Sequence, residues 1–260
     1  MDLDLRGKHA LVCGSTQGIG KAAAMELAAL GADVTLIARN EPRLKNAVAD
    51  LGGEGKHDYV VADFSDPEKL KSAIADFLKK EKIVHILVNN TGGPPSGPIT
   101  EAKVEEFQLA FSNHLICNHI LAQAVLPGMK AAKYGRIINV ISTSVKIPLK
   151  GLGVSNTIRA AVGNWAKTLS NEVAPFGITV NNVLPGATAT QRLSSIIEAK
   201  SQKTSVDQAH VEKEMMSEIP AGRFGRPEEV AAAIAFLATP AAAYINGINV
   251  PVDGGRTGNL

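Results

Sequence analysis

The chain has 260 residues, enough for one large α/β domain with a well-buried core. Its 27 Lys and Arg nearly cancel its 25 Asp and Glu, with no long basic run, so no broad electrostatic footprint for nucleic acid is expected. No apolar run is long enough to span a bilayer, Met1-Asp2-Leu3-Asp4-Leu5 is unlike a signal peptide, and Cys13 and Cys117 lack metal or disulfide spacing; a cytoplasmic protein with no membrane association and no metal is expected.

Short apolar runs alternate with longer amphipathic stretches from end to end. The pattern predicts strands at 9–12, 33–38 and 59–62, each followed by a helix, at 20–30, 42–51 and 67–80. A strand at 85–88 precedes a long helix at 104–133, and a strand at 136–141 precedes a helix at 153–173. After a strand at 178–183 come a helix at 227–238 and a last strand at 248–252. Strands that are continuously apolar and alternate with helices imply an α/β, doubly wound parallel sheet with helices on both faces, whose ligands bind at the carboxyl ends of the strands. With no linker and no repeat beyond this alternation, 1–260 reads as a single domain. The polar segment 191–218 breaks the rhythm; it reads as one or two surface helices forming a substrate lid, or as a decorated loop.

Between the first strand and first helix lies Gly14-Ser15-Thr16-Gln17-Gly18-Ile19-Gly20. Glycines there let the backbone turn sharply and approach a pyrophosphate, which would rest on the free N–H groups and positive end of the helix. Turns are rich in glycine anyway, so the placement between strand and helix carries the expectation of nucleotide binding and a Rossmann-type sheet.

The spacing Gly-x-x-x-Gly-x-Gly resembles the short-chain dehydrogenase/reductase family, and the resemblance runs along essentially the whole chain. Asp63 matches that family's adenine-contacting acid, and Asn89-Asn90-Thr91-Gly92 its Asn-Asn-Ala-Gly turn. Pro185-Gly186 and Thr190 match the loop that holds the nicotinamide carboxamide. Residues 223–229 and Val252-Asp253-Gly254-Gly255 match its C-terminal signatures. The resemblance implies a nicotinamide-dependent oxidoreductase similar to the 3-oxoacyl-carrier-protein-reductase branch, acting on a small-molecule carbonyl or alcohol and assembled as a homo-oligomer, tetramer or dimer. Gly14, Ser15, Gln17, Gly18, Ile19, Gly20, Asp63, Asn90, Pro185, Gly186 and Thr190 would contact the cofactor. At the end of the second strand an acid would bind the ribose 2′-hydroxyl of NAD; here Ala38 takes its place and Arg39 follows, which favours NADP(H) over NAD(H). Gln17 offers no second positive charge.

In the chemical half the resemblance assigns Asn113 to the relay water and Ser142 to the substrate carbonyl, with Ser144 close enough to share that role. Ser155 and Arg159 stand at the positions of the family's catalytic tyrosine and lysine. Their i, i+4 spacing keeps both on one helix face, but an alkyl alcohol is a far weaker acid than a phenol. Arg159 stays charged, so it is expected to hold ribose hydroxyls rather than pass a proton. Tyr59, Tyr134 and Tyr244 sit in motifs far from the nicotinamide. The remaining proton sources are a water held by Ser155 and Asn113, Lys146 or Lys150 on the intervening loop, or His114, which should point a quarter-turn away from Asn113. The loop at 92–98 and the residues Ile147, Pro148, Leu149, Leu152 and Val154 suggest an apolar pocket. The alternative to an enzyme is a nicotinamide-nucleotide-binding sensor or regulatory subunit without catalysis.

Overall fold

A computed structural model describes residues 1–80 and 83–258. Seven strands form one parallel sheet in the order β3-β2-β1-β4-β5-β6-β7: β1 His9–Cys13, β2 Asp33–Ala38, β3 Asp58–Val61, β4 Ile86–Asn89, β5 Gly135–Val140, β6 Ile178–Pro185 and β7 Asn249–Val252. The predicted strands match these within two residues. The five inner strands are almost wholly buried, whereas β3 and β7, paired on one side only, are half-exposed, contrary to the expectation of seven buried strands.

Each inner strand feeds alternate residues to opposite faces. One face packs Ala10, Val12, Leu36 and Val88 against α1 (Gly18–Ala29), α2 (Glu41–Ala49) and the later helix at 227–238. The other packs Leu11, Ile37, Leu87 and Val180 against α3 (Pro67–Leu78) and two longer helices.

The predicted helix at 104–133 is not one rod. It consists of α4 (Val104–Phe111), a wide π-helical turn over Ser112–Ile116, and α5 (Cys117–Ala132). Such an inserted turn re-aims side chains and is frequent at functional sites. α6 is Gly153–Val173, as predicted. The segment at 191–218 forms two helices, α7 (Gln191–Thr204) and α8 (Gln208–Ser217), packed through Leu193, Ile197 and Val211. α9 (Pro227–Ala238) also matches its predicted span. Among the described residues no helix is long and apolar enough to cross a membrane.

Across four strands runs a ladder of amides, buried at Asn89, Asn139 and Asn182 and half-buried at Asn249. Asn89 Nδ2 donates to Asn139 Oδ1 at 2.9 Å, Asn139 Nδ2 to Asn182 Oδ1 at 2.9 Å, and Asn182 Nδ2 to Asn249 Oδ1 at 2.8 Å. Each pair is in register, so one side-chain bond supplements the backbone pairing at every step. The strand order reverses between β1 and β4, which opens a crevice at their carboxyl ends.

Candidate active site

The crevice begins at the turn after β1. Gly14 and Gly18 adopt φ of +57° and +56°, which favours glycine. A Cβ on Gly14 would lie 2.5 Å from the Asn90 carbonyl oxygen, and one on Gly20 would strike Gly14 O. Asn90 Nδ2 ties the two sides by donating to Cys13 O at 3.3 Å and Gly14 O at 3.2 Å. Gln17 precedes α1 without a side-chain cap, and the first turn carries no acid, so its N–H groups are free for an anion. A dinucleotide pyrophosphate fits this cradle: space is kept open by missing side chains and the exposed groups are donors.

Gly14, Gln17, Gly18, Ile19, Arg39, Asp63, Asn90, Pro185, Gly186 and Thr190 all line one cavity of about 1610 Å³. Ser15 and Gly20 are buried behind its wall rather than lining it; Ser15 Oγ is directed at Ile37 O, 3.5 Å away. At the β2 end, Arg43 of α2 reaches Gln17 Oε1 at 3.5 Å and lines the cavity with Arg39. Gln17 thus brings in the second positive charge that it lacks itself, which sequence reasoning missed because the cation sits on the next helix. Asp63 accepts the backbone N–H of Ser65 at 2.9 Å; that bond, against the opposing effect of burial, and the field of Arg39 hold its carboxyl below the ordinary range.

Asn113, Ser142, Ser155 and Arg159 line the other end of the same cavity. The π turn carries Asn113, whose Oδ1 is buried without a protein partner. Its neighbour His114 is buried, off the cavity wall, and 2.5 Å from Thr91 Oγ1 through Nδ1. Burial, reinforced by the charge of Arg159, drives His114 down to about 2, so it is neutral at any working pH and is not the acid. Ser142 Oγ accepts the Ser144 backbone N–H at 3.1 Å. Ser144 does not line the cavity, and its buried Oγ has no partner, so the two hydroxyls are not interchangeable.

Ser155 is half-buried on α6, one turn before Arg159. Arg159 is 9% exposed and donates from Nη1 to Val140 O at 2.7 Å. Burial first, and then Arg192, pull its guanidinium down to about 10. Of the two loop lysines, Lys150 lines the cavity and Lys146 does not. No tyrosine lines it: Tyr59 OH donates to Glu41 Oε1, Tyr134 OH to Ala238 O, and Tyr244 is fully exposed.

The expected pocket is real in part. Gly97 N donates to Gly151 O at 2.7 Å and Gly153 N to Gly97 O at 3.2 Å, so the loop after β4 and the one before α6 form one wall. Pro148, Leu149 and Leu152 line it, whereas Ile147 is exposed and Val154 packs in a small core with Ile158 and Ala110. Arg192, near the start of α7, also lines the cavity and donates to Pro94 O at 2.6 Å. No signal singled it out, because it lies in the first turn of a segment read as a whole, as a substrate lid or a decorated loop.

A reversed parallel sheet, a glycine cradle at the reversal and a polar cluster across from it define a dinucleotide-fold oxidoreductase. Residues 14–257 match the family model described as enoyl-(acyl carrier protein) reductase, and the chain belongs to the short-chain dehydrogenase/reductase family. It is 36% identical over 253 residues to the 3-oxoacyl-(acyl-carrier-protein) reductase of Vibrio cholerae, covering 97% of this chain and 98% of that one. Its fold superposes on L-sorbose reductase from Gluconobacter frateurii, solved with NADPH and L-sorbose, with TM-score 0.93, 32% identity and full coverage of both chains. An NADPH-dependent reductase involved in bacilysin biosynthesis matches with TM-score 0.92 and 28% identity over 97% of this chain and 99% of that one.

Proposed function

We propose that the protein is an NADP(H)-dependent oxidoreductase acting on a carbonyl or secondary alcohol, with a proton donor other than the family's tyrosine. The observation that carries this reading is the convergence of the glycine cradle with Asn113, Ser142, Ser155 and Arg159 on one cavity. Arg39 and Arg43 at the β2 end suit a 2′-phosphate, which supports NADP(H) over NAD(H). When bound, the nicotinamide supplies the hydride.

Ser142 Oγ already accepts from Ser144 N, so its own O–H is the group left to donate to the substrate carbonyl oxygen. Arg159, fixed by Val140 O, keeps its charge and steadies both the ribose hydroxyls and the negative charge that develops on that oxygen. The unpartnered Asn113 Oδ1 and the Ser155 hydroxyl hold a water that delivers the proton, in the space a phenol ring would fill. Loss of a positioned acid costs about 10²–10⁴-fold, which leaves room for slow turnover. α7 and α8 act as the lid, since both contribute to the cavity wall. Exposed Val104, Leu109, Phe111 and Ile116 around α4 support a homo-oligomer.

The joint replacement of tyrosine and lysine by Ser155 and Arg159 favours a second reading, a nicotinamide-nucleotide sensor or regulatory subunit. Fluorescence titration with NADPH and NADH, followed by NADPH-consumption assays on a carbonyl panel, separates the two. Tight NADPH binding with turnover is expected; tight binding without turnover on any carbonyl transfers the assignment to the sensor, and binding of neither nucleotide removes both.

A further inference from the structure

Two arginines reach the same point of the cavity without a carboxylate between them. A Cβ on Gly93 would lie 3.5 Å from Arg192 Nη2 and 3.7 Å from Arg159 Nη2. Each guanidinium is tethered by one backbone carbonyl, Pro94 O for Arg192 and Val140 O for Arg159. Arg192 stands in the first turn of α7, the positive end of that helix, where a cation is disfavoured, and no acid in the turn offsets it. Burial lowers both groups, and Arg192 lowers Arg159 further.

The acids on the cavity wall are occupied elsewhere. Asp63 accepts from Ser65 at the β3 exit, Glu214 pairs with Lys200, and Glu218 pairs with Arg256. Arg159 is buried and Arg192 stands at the more open rim, and two like charges turned to one point with no carboxylate between them make a seat for an anion.

We infer that Arg159 and Arg192 form a carboxylate clamp, and that the substrate is an oxo acid, or the matching hydroxy acid, whose free carboxylate lies beside the reacting carbon. The inference rests on the oxidoreductase reading proposed above. The cofactor's own anionic groups have other seats, the pyrophosphate at the glycine cradle and a 2′-phosphate at Arg39 and Arg43. The clamp lies across the crevice, on the loop after β4 and beside the end of β5. Because Arg159 is tied to Val140, two residues before Ser142, a carboxylate held there presents its neighbouring carbon to the Ser142 side. A guanidinium fork matches a carboxylate in two parallel hydrogen bonds, and Arg159 has spent only one of its five donors on Val140.

The test compares benzoylformate and pyruvate with their methyl esters, and with dihydroxyacetone phosphate, using NADPH and the full-length protein. The acids are expected to exceed their esters in kcat/KM by about 100-fold or more. Arg192→Leu should erase that ratio by raising KM for the acids, leaving the esters within about threefold, and Arg192→Lys should restore part of it. Esters or neutral ketones turned over as well as the acids, or a preference for the phosphate ester, would overturn the clamp while the oxidoreductase reading stands. Calorimetric titration of the NADP⁺-loaded protein with oxalate decides the clamp without turnover. Binding that weakens about 100-fold in Arg192→Leu supports it, and no binding, or binding the variant leaves unchanged, refutes it even if no carbonyl is reduced.

Discussion

On the β1–β3 side of the crevice, shape comes from the backbone: Gly14 and Gly18 in left-handed conformations, Gly20 against Gly14 O, and uncapped N–H groups at the start of α1. On the β4–β6 side, shape comes from side chains: a buried amide oxygen at Asn113, a serine already accepting one bond, and two arginines on separate tethers. The backbone side tolerates few residue types, because anything with a Cβ collides. The side-chain side can be rebuilt by exchanging groups on an unchanged frame, and the whole chain keeps a TM-score of 0.93 to L-sorbose reductase at 32% identity.

The sharpest break in this comparison would come from the amide ladder that supports the side-chain half. Asn139→Leu leaves Asn89 Nδ2 and Asn182 Oδ1 without their ladder partner in a buried setting and should cost about 2–4 kcal/mol in urea unfolding. Gly14→Ala tests the backbone half. With a Cβ 2.5 Å from Asn90 O, it should cost about 1–3 kcal/mol and raise the NADPH Kd at least about tenfold, while an Asn139 variant that still folds binds NADPH normally.

A pH experiment sharpens the contrast further. His114 is depressed to about 2 in the fold, against about 6.5 unfolded, so above pH 6.5 it makes no difference to stability. As pH falls below 6.5 the unfolded chain takes up a proton that the folded chain refuses, and stability should drop by up to about 1.4 kcal/mol per pH unit. His114→Asn should flatten that slope between pH 6.5 and 5 in denaturant midpoints. The smallest effect is expected at Arg43→Ala, which should weaken NADPH binding about threefold and leave NADH unchanged; an equal loss for both would remove Arg43 from the 2′-phosphate site.

The backbone half was the legible one. Strand, glycine turn and helix are local in sequence, so Gly14 to Gly20 and the spans of seven strands could be read from pattern, and two helices, Gly153–Val173 and Pro227–Ala238, match their predicted spans. The side-chain half was read only as far as single positions. Helical periodicity gave no sign of the π turn, since one inserted residue leaves an apolar stripe nearly intact, although the divergence of Asn113 and His114 followed from their adjacency on a helix. The meeting of Arg192 with Arg159 joins residues from two segments through a loop at Gly93 and Pro94, a contact that no spacing encodes.

The ladder from Asn89 to Asn249 also bears on how the chain finds its final pairing. β7 is short, half-exposed and more than sixty residues beyond β6, so apolar contacts discriminate weakly among its alignments. A slip by one residue turns every side chain over, and a slip by two sets Asn182 opposite Pro251 or Gly247 instead of Asn249, leaving a buried amide unanswered. The Asn182–Asn249 bond therefore acts as a key for the last strand, favouring one alignment over those two residues to either side.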